Sequence, residues 1–325
     1  MDGLLLVDKP SGPTSHDVVA RARRILREKR IGHTGTLDPL ASGLLPLLIG
    51  KATRLARFLP GDKAYEATIR LGLNTDTYDS LGAPAGAAFE GPWPDAAAVD
   101  AALAPFRGTF LQQPPAYSAK KIDGQRSYAI ARRGKKREAD GPTAEGADEP
   151  DGARTPPLPS PVPVTTYGIE VLGVDGPLIR LHVRCSAGFY IRSLAFDLGA
   201  ALGTGAHLVA LRRTEAAGHG LPDAISLERL MADDGPAAGE AALVPMGRML
   251  QGLPSVELTA DGVAQVHFGR NLGPGDSQRG FVEAVRAATA TPPSAVRLLG
   301  PGGDLVAMAD AAGSPGLLHP AVVLL

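Results

Sequence analysis

Apolar and polar residues alternate in two stretches of the chain, and this pattern predicts half-buried strands. In residues 64–71 every second side chain is apolar, beginning with Tyr65. The same alternation in residues 178–185 places Cys185 on the apolar face. A cysteine in that position is predicted to be a buried structural thiol rather than a nucleophile.

Helical spacing of apolar residues predicts an amphipathic helix near the start of the chain. Residues 18–26 repeat apolar positions at helical intervals, with Ser15 as the expected N-cap and arginines on the opposite face. Residues 32–43, rich in Gly, Thr, Asp and Pro, are expected to form a loop. Further strands are expected at 3–7, 165–172 and 207–213, and further helices at 52–59, 95–103, 124–133 and 189–202.

The order of these elements indicates the fold class. Strands and helices interleave without a repeating βαβ period, so residues 1–250 are interpreted as one α+β domain. We expect a mainly antiparallel mixed sheet flanked by helices, with a flexible acidic, Pro- and Gly-rich insert at residues 137–163. Residues 251–325 carry short apolar stretches separated by Gly and Pro, which predicts a small β-rich domain after a connecting helix or linker at 245–254.

Composition and charge narrow the class of protein. The 325 residues include one cysteine, so no intramolecular disulfide is possible and a reducing compartment is favoured. No apolar run approaches the roughly 20 residues of a membrane span, and we expect a cytoplasmic protein that does not enter a membrane. The net charge of −1 hides an asymmetry, because residues 1–136 carry 20 Lys and Arg against 13 Asp and Glu, whereas residues 137–160 carry 2 against 6.

The stretch GHTGTLDPLASGLLP, residues 32–46, surrounds one acidic residue, Asp38. Taken alone, Asp38 is most simply a turn residue stabilised by local hydrogen bonds. A glycine-rich loop can also bind phosphate, but no Walker lysine stands at the required spacing and the carboxylate would repel phosphate. The third interpretation is a carboxylate that the loop presents for chemistry.

Other segments favour the third interpretation. They are LLLVDKPSGPTSHDVV (4–19), KAYEATIRLGLNTDTYDSLG (63–82), QQPPAYSAKKIDGQRSYAIARRG (112–134), SAGFYIRSLAFDLG (186–199) and GAHLVALRR (205–213). Together with the Asp38 loop they resemble the bacterial tRNA pseudouridine synthase B (TruB) family, in the family's order and over most of residues 3–245. More loosely, GVAQVHFGRNL (262–272) and VRLLGPGGDLVAMAD (296–310) resemble a PUA-type RNA-binding module.

The resemblance implies an isomerase that converts uridine 55 in the T loop of tRNA to pseudouridine. It makes Asp38 the catalytic carboxylate, which would stabilise the anomeric centre, bond to it, or remove a sugar proton. Arg192 matches the arginine that ion-pairs with this carboxylate, and Tyr65 matches the tyrosine that lies against the base and takes the C5 proton. The flipped uridine must be kept from water while its base turns.

The resemblance also implies substrate-binding residues. Tyr190 and Leu211 match pocket residues, Asp79 matches an acid linked to the arginine and tyrosine, and His33 matches a histidine that packs against the RNA. Lys9, Arg54 and the pair at 120–121 are candidates for phosphate contacts.

The expected partner is the T-arm stem-loop of tRNA, recognised mainly by its shape, and the protein is expected to be a monomer. A redox-neutral isomerisation needs no cofactor, and the scattered histidines with one cysteine predict no metal site. A catalytically idle RNA-binding or RNA-folding protein of the same fold is the alternative. A glycosidase would need a second carboxylate opposite Asp38.

Overall fold

The computed structural model describes residues 1–116, 121–122, 125–126 and 159–325. The strands are β1 (Gly3–Lys9), β2 (Ile31–His33), β3 (Ser42–Ile49), β4 (Lys63–Leu71), β5 (Asn74–Thr75), β6 (Pro84–Ala85), β7 (Gly108–Gln112), β8 (Lys121–Ile122), β9 (Gln125–Arg126), β10 (Val162–Asp175), β11 (Leu178–Cys185), β12 (Ala206–Ala216), β13 (His219–Gly220), β14 (Ile225–Ser226), β15 (Leu243–Pro245), β16 (Ser255–Leu258), β17 (Ser277–Arg279), β18 (Val296–Leu299), β19 (Leu305–Ala311) and β20 (Leu318–Val323).

The α-helices are α1 (Ser15–Leu26), α2 (Ala96–Ala102), α3 (Ile191–Ala201), α4 (Leu227–Leu230), α5 (Gly235–Ala241), α6 (Ala260–His267) and α7 (Phe281–Ala288). Short 3-10 helices span Gly50–Phe58, Ala104–Phe106, Leu221–Asp223, Met246–Arg248 and Pro274–Asp276. The chain forms two compact units, of which the first comprises Met1–Leu37, Leu44–Pro60 and Ala217–Leu325, and the second Asp38–Gly43 and Gly61–Ala216.

The first unit begins with strands that are buried along their length. β1 pairs with β15 in antiparallel fashion and with β14 in parallel, and β2 pairs with β3. The leucines of β1 and of the first-unit part of β3 are almost wholly inaccessible to solvent. Burial on both faces explains why these strands read as continuous apolar runs instead of alternating patterns.

Helix α1 corrects one prediction. Its N-cap is Thr14 and not Ser15, since the Thr14 hydroxyl accepts the Asp17 N–H at 3.1 Å and the Asp17 carboxylate accepts the Thr14 N–H at 2.8 Å. This reciprocal capping box satisfies a backbone N–H at the helix start. Ser15 is thereby released for another contact, described below.

The C-terminal part of the first unit contains a separate five-stranded sheet in the order β17–β16–β18–β19–β20. Its core gathers apolar residues of the strands and of α6 and α7, among them Val256, Phe281 and Leu298. The predicted β-rich character of residues 251–325 is confirmed, but the sequence pattern missed both helices. Each is eight residues long, too short for a helical period to stand out. The PUA-like character of this part stays a prediction.

The second unit contains an antiparallel sheet in the order β7–β10–β11–β4–β12. The predicted alternation is confirmed on β4 and β11, where Tyr65, Ile69 and Cys185 are buried and Glu66 and Arg184 are exposed. Helix α3 packs against β12 and α2 against β10. The predicted α+β fold with a mainly antiparallel mixed sheet is confirmed.

Several predicted boundaries were wrong. The loop expected at 32–43 is flanked by strands that enter it, β2 up to His33 and β3 from Ser42. Residues 125–126 form a strand where a helix was expected at 124–133, and the rest of that range lies outside the described residues. The insert predicted at 137–163 is described only from residue 159, where β10 begins at Val162. In contrast, the segment at 245–254, predicted as a connecting helix or linker, consists mostly of turns with one short 3-10 helix, and its role as a connection between domains stays a prediction.

The predicted domain boundary between residues 250 and 251 stays a prediction, since the compact units divide the chain at other positions. Among the described residues, no helix is long and apolar enough to span a membrane.

Candidate active site

Asp38 lies in a tight turn between the two parts of the motif at 32–46. The Ala41 N–H donates to the Asp38 carbonyl at 3.0 Å. One residue earlier, the buried Ser15 hydroxyl accepts the Leu37 N–H at 2.8 Å and lies 3.1 Å from the Leu37 carbonyl. The Asp38 side chain itself is 36% exposed, so a substrate can reach the carboxylate.

Arg192 donates two parallel hydrogen bonds to the Asp38 carboxylate. Its Nε donates to Oδ2 at 2.8 Å and its Nη2 donates to Oδ1 at 3.2 Å. The Arg192 side chain is only 6% exposed. A planar guanidinium paired with both carboxylate oxygens fixes the orientation of the carboxylate as well as its position. The predicted pairing of Arg192 with Asp38 is therefore present in the structure.

Arg192 also contacts the turn after β5. Its Nη1 donates to the Thr77 carbonyl at 3.0 Å, and its Nε lies 3.8 Å from Asp79 Oδ2. The buried Asp79 carboxylate accepts through Oδ1 from the Thr77 hydroxyl at 2.7 Å and from the Leu81 N–H at 3.1 Å. These contacts restrict movement of the guanidinium away from Asp38.

Tyr65 lies on β4 directly opposite Arg213 of β12. Burial raises the pKa of the Tyr65 phenol to about 12, opposed by the Arg213 guanidinium that hydrogen-bonds to it and supported by the negative charge of Asp38. The Tyr65 hydroxyl thus remains protonated at neutral pH. Arg213 is fully buried, and sequence reasoning missed it.

Gly43 explains how the strand after the Asp38 loop approaches Arg213. Its φ of 99° lies in the left-handed region, and a Cβ there would stand 2.3 Å from the Arg213 carbonyl oxygen. Ser42 and Gly43 pair in parallel with Arg212 and Arg213. Only glycine permits this close approach without strain.

Tyr190 and Leu211 occupy the elements that carry Arg192 and Arg213. Tyr190 is the half-buried N-cap residue of α3. Leu211 is buried opposite Ala67, two residues along β12 from Arg213, and its carbonyl accepts from the Ser42 hydroxyl at 3.4 Å. All of these residues belong to the second unit, as do Asp38, Asp79 and Arg192.

His33, Arg54 and Lys9 belong to the first unit. The half-buried His33 ring meets the His16 ring edge-on at 6.0 Å between centroids. Arg54 is exposed, and its Nη1 donates to the Val323 carbonyl. The roles of His33 and Arg54 in RNA binding stay predictions.

The environment of Lys9 does not fit the phosphate contact predicted for it. Its side chain is fully buried, and its ammonium donates to the Pro10 carbonyl at 2.9 Å and to the Pro13 carbonyl at 2.8 Å. A buried lysine that closes its own loop is not placed to meet a phosphate. Of the pair at 120–121, Lys120 lies outside the described residues and Lys121 is described only by its backbone in β8.

Besides Arg213, sequence reasoning missed Thr77 in the site and, in the first unit, the contact of Ser15 with Leu37. Arg213 carried a usable signal, because it shares the apolar face of a strand with Leu211. Thr77 accepts from Arg192 with its carbonyl, and Ser15 bonds the backbone of Leu37; every residue has a backbone, so these contacts leave no trace in a residue pattern. Within the described ranges, no group of three His, Cys, Asp or Glu residues could hold a metal ion.

Comparison with protein families gives two matches. The model of the TruB family pseudouridylate synthase N-terminal domain matches residues 23–144, and that of the tRNA pseudouridylate synthase B C-terminal domain matches residues 192–251. A protein of Solibacter usitatus named tRNA pseudouridine synthase B is 41% identical over 100% of both chains. One of the same name from Xanthomonas campestris pv. campestris is 43% identical over 84% of this chain and 82% of its own.

Two solved structures contain chains that are similar to this one. A chain in the structure of an H/ACA RNP bound to a substrate RNA containing 2′-deoxyuridine has a TM-score of 0.65 and 26% identity, with 99% of this chain and 85% of that chain covered. A chain in a Cbf5–Nop10–Gar1 complex has the same TM-score and coverage at 27% identity. Both similarities extend over essentially the whole of this chain.

Proposed function

The chain belongs to the TruB family of pseudouridylate synthases, and from this we propose that it converts uridine 55 in the T loop of tRNA to pseudouridine, with Asp38 as the catalytic carboxylate. The observation that carries the assignment of Asp38 is its two-bond pairing with the buried Arg192 in a site that leaves the carboxylate partly exposed. A turn residue with a purely local role needs no such partner.

The reaction is an isomerisation. The bond from the sugar C1′ to uracil N1 breaks, a bond from C1′ to C5 forms, and the C5 proton is lost while N1 gains one. A carboxylate next to the sugar can stabilise positive charge at C1′, bond to C1′, or remove a sugar proton. Each of these routes needs the carboxylate held in one orientation, which the Arg192 fork provides.

Tyr65 is proposed to lie against the uracil and to relay a proton. Its neutral phenol first gives its own proton to N1, which is freed when the bond to C1′ breaks, and its oxygen then accepts the proton lost from C5, so that the phenol is restored. An aromatic ring offers a flipped base a surface for stacking. The buried phenol is a weak acid, since burial raises its pKa to about 12, and the Arg213 guanidinium offsets part of that effect. Arg213 is thus placed to stabilise negative charge on the Tyr65 oxygen whenever the proton leaves.

Tyr190 and Leu211 are proposed as walls of the uridine pocket, while Asp79 keeps Arg192 in place. His33 and Arg54 are proposed RNA contacts, the first beside the extruded base and the second at a phosphate. The T-arm stem-loop is the proposed substrate, recognised by its shape. We further propose a cytoplasmic monomer that works without a cofactor.

Pseudouridine mapping tests the function. Unmodified tRNA is incubated with the purified protein, and pseudouridine is located by a carbodiimide mass tag. We expect one new pseudouridine, at position 55, in intact tRNA and in an isolated T-arm stem-loop. Tight binding of tRNA without any modification would replace the proposal with an idle RNA-binding protein, and free uracil would indicate a glycosidase.

A further inference from the structure

Arg192 is carried by the first turn of α3, which has no side-chain cap. The N-cap residue Tyr190 is extended, with φ −114° and ψ 112°, and its side chain makes no capping hydrogen bond. Helix starts without a side-chain cap rely on other groups to fix their first turn. The position of Arg192 therefore depends on what holds the backbone around Tyr190.

Gln112, the last residue of β7, holds the Tyr190 backbone through two hydrogen bonds. Its Oε1 accepts the Tyr190 N–H at 2.8 Å, and its Nε2 donates to the Tyr190 carbonyl at 3.0 Å. One primary amide thus satisfies both backbone polar groups of the same residue. Gln112 is only 1% exposed, so water does not compete for these bonds.

A second bond ties the same strand end to the same helical turn. The buried Ser193 hydroxyl donates to the Gln113 carbonyl at 2.6 Å. Arg192 therefore stands between two residues, Tyr190 and Ser193, that are both bonded to the end of β7. The chain on either side of Arg192 is therefore fixed by contacts that do not involve Asp38.

We propose that Gln112 is a positioning residue for the reaction, which holds the Tyr190 backbone so that Arg192 keeps both hydrogen bonds to Asp38. A long side chain magnifies a small rotation of its backbone into a larger displacement of its guanidinium. Misplacement by about 1 Å at a reacting group can cost about 100-fold in rate. Since Gln112 is buried, it acts through Tyr190 and Arg192 and not by touching RNA.

Two variants of Gln112 separate this role from general packing. Gln112→Leu removes both bonds to Tyr190. Gln112→Glu keeps the acceptor for the Tyr190 N–H but sets a carboxylate oxygen against the Tyr190 carbonyl. The matched control is Thr166→Val, which removes a buried hydrogen bond of 2.6 Å from a side chain to the Phe106 carbonyl, beside the same strand.

A spectroscopic measurement on the full chain tests the geometry without relying on the proposed function. The Nε–H proton resonance of Arg192, assigned by its absence in Arg192→Lys, reports the hydrogen bond to Asp38. We expect this resonance to shift upfield and its exchange with water to rise at least about 10-fold in both Gln112 variants, with no change in Thr166→Val. An unchanged Arg192 resonance in a folded Gln112 variant would overturn the proposal.

A kinetic cycle tests the consequence and rests on the proposed function. We expect kcat to fall about 10-fold or more in Gln112→Leu or Gln112→Glu, while the Kd for tRNA changes less than about twofold. In an Arg192→Lys background the same change should cost less than about threefold, since the contact it protects is already lost. An equal loss in both backgrounds would show that Gln112 acts independently of Arg192 and would overturn the proposal. An inactive parent protein would instead contradict the proposed function and leave the spectroscopic result standing.

Discussion

At the scale of single residues, the site depends on one ion pair with unequal burial. Arg192 is almost wholly enclosed, while the Asp38 side chain is 36% exposed. A buried guanidinium has to be fully paired, because removing one partner from a buried charge is far more costly than breaking a surface pair. The Thr77 carbonyl pairs with Nη1, and the Asp79 carboxylate lies near the same Nε that bonds Asp38. The catalytic role proposed for Asp38 therefore depends also on the residues that hold Arg192.

Replacing Arg192 by lysine tests the geometry of this pair. Lysine keeps the charge but cannot bond both oxygens of Asp38 and the Thr77 carbonyl at once. Loss of one or two charge-assisted hydrogen bonds, worth about 1.5–3 kcal/mol each, predicts a fall in kcat of about 10- to 100-fold or more. Single-turnover conversion of a T-arm stem-loop measures it.

Arg107→Lys is the control, because Arg107 forms an exposed pair with Asp100. It should leave the rate unchanged, as surface pairs contribute little. If Arg192→Lys behaved like Arg107→Lys, the fork between Arg192 and Asp38 would have no role in the reaction.

At the scale of elements, the alternation on β4 and β11 was predicted correctly because one face of each strand is buried. The same reasoning could not find the cap of α1. Thr14 and Ser15 are both good capping residues, and the choice depends on Leu37, whose backbone binds Ser15 across 22 residues of sequence. Lys9 was misassigned for a similar reason. Its partners are the carbonyls of Pro10 and Pro13, and a carbonyl belongs to every residue.

Gly43→Ala tests the close approach of β3 and β12. Both a left-handed φ and a Cβ 2.3 Å from the Arg213 carbonyl oppose alanine at this position. Gly12, with φ 109° and open space around its Cβ position, is the matched control for the backbone strain alone. We expect Gly12→Ala to cost about 1 kcal/mol of unfolding free energy and Gly43→Ala clearly more, with a reduced kcat.

Urea unfolding and turnover of the two variants provide the comparison. Equal losses of unfolding free energy in Gly12→Ala and Gly43→Ala would mean that β3 and β12 accommodate a Cβ at position 43 without additional cost. An unchanged kcat in Gly43→Ala would mean that the Asp38 loop does not depend on this contact.

Asp197, in helix α3, is expected to destabilise the folded protein in a pH-dependent way. Burial raises the pKa of Asp197 from 3.8 to about 6. The folded protein therefore keeps a proton that the unfolded chain releases, and stability falls as the pH rises from about 4 to about 6. Asp197→Asn should relieve this cost, by about 1 kcal/mol at pH 7 after allowance for partial exposure to solvent.

Urea unfolding of the parent and of Asp197→Asn across pH 4 to 7.5 measures the effect. The stability gained by the asparagine should be small near pH 4, increase up to about pH 6 and then stay constant. Asp233→Asn, at an exposed aspartate, is the control. A gain that did not change with pH would contradict the assignment to Asp197.

At the scale of the whole molecule, the family and the α+β class could be predicted from the sequence, but the division of the chain could not. Residues 38–43 belong to the second compact unit, whereas the residues directly before and after them belong to the first. A domain boundary is sought in linkers of distinctive composition. Here the chain changes unit inside the motif at 32–46, whose composition marks no linker.

The acidic insert offers a test at this scale. Residues 137–160 carry 6 acidic against 2 basic residues, a balance that disfavours contact with a phosphate backbone. Deleting residues 139–158 should leave kcat and the Kd for tRNA within about twofold of the parent values. A tenfold loss of either would assign these residues a function in catalysis or RNA binding.

Conversion by the Asp38→Asn variant tests the central claim most directly. The variant and the parent are each incubated in excess over a T-arm stem-loop, with Asp100→Asn as a control at an exposed aspartate. Asparagine keeps the size of the side chain but removes the charge and the ability to bond to C1′ or take a proton. We predict no detectable pseudouridine with Asp38→Asn, full conversion with Asp100→Asn and the parent, and a Kd for the stem-loop unchanged within about threefold. Conversion by Asp38→Asn at a rate near that of the parent would contradict the account.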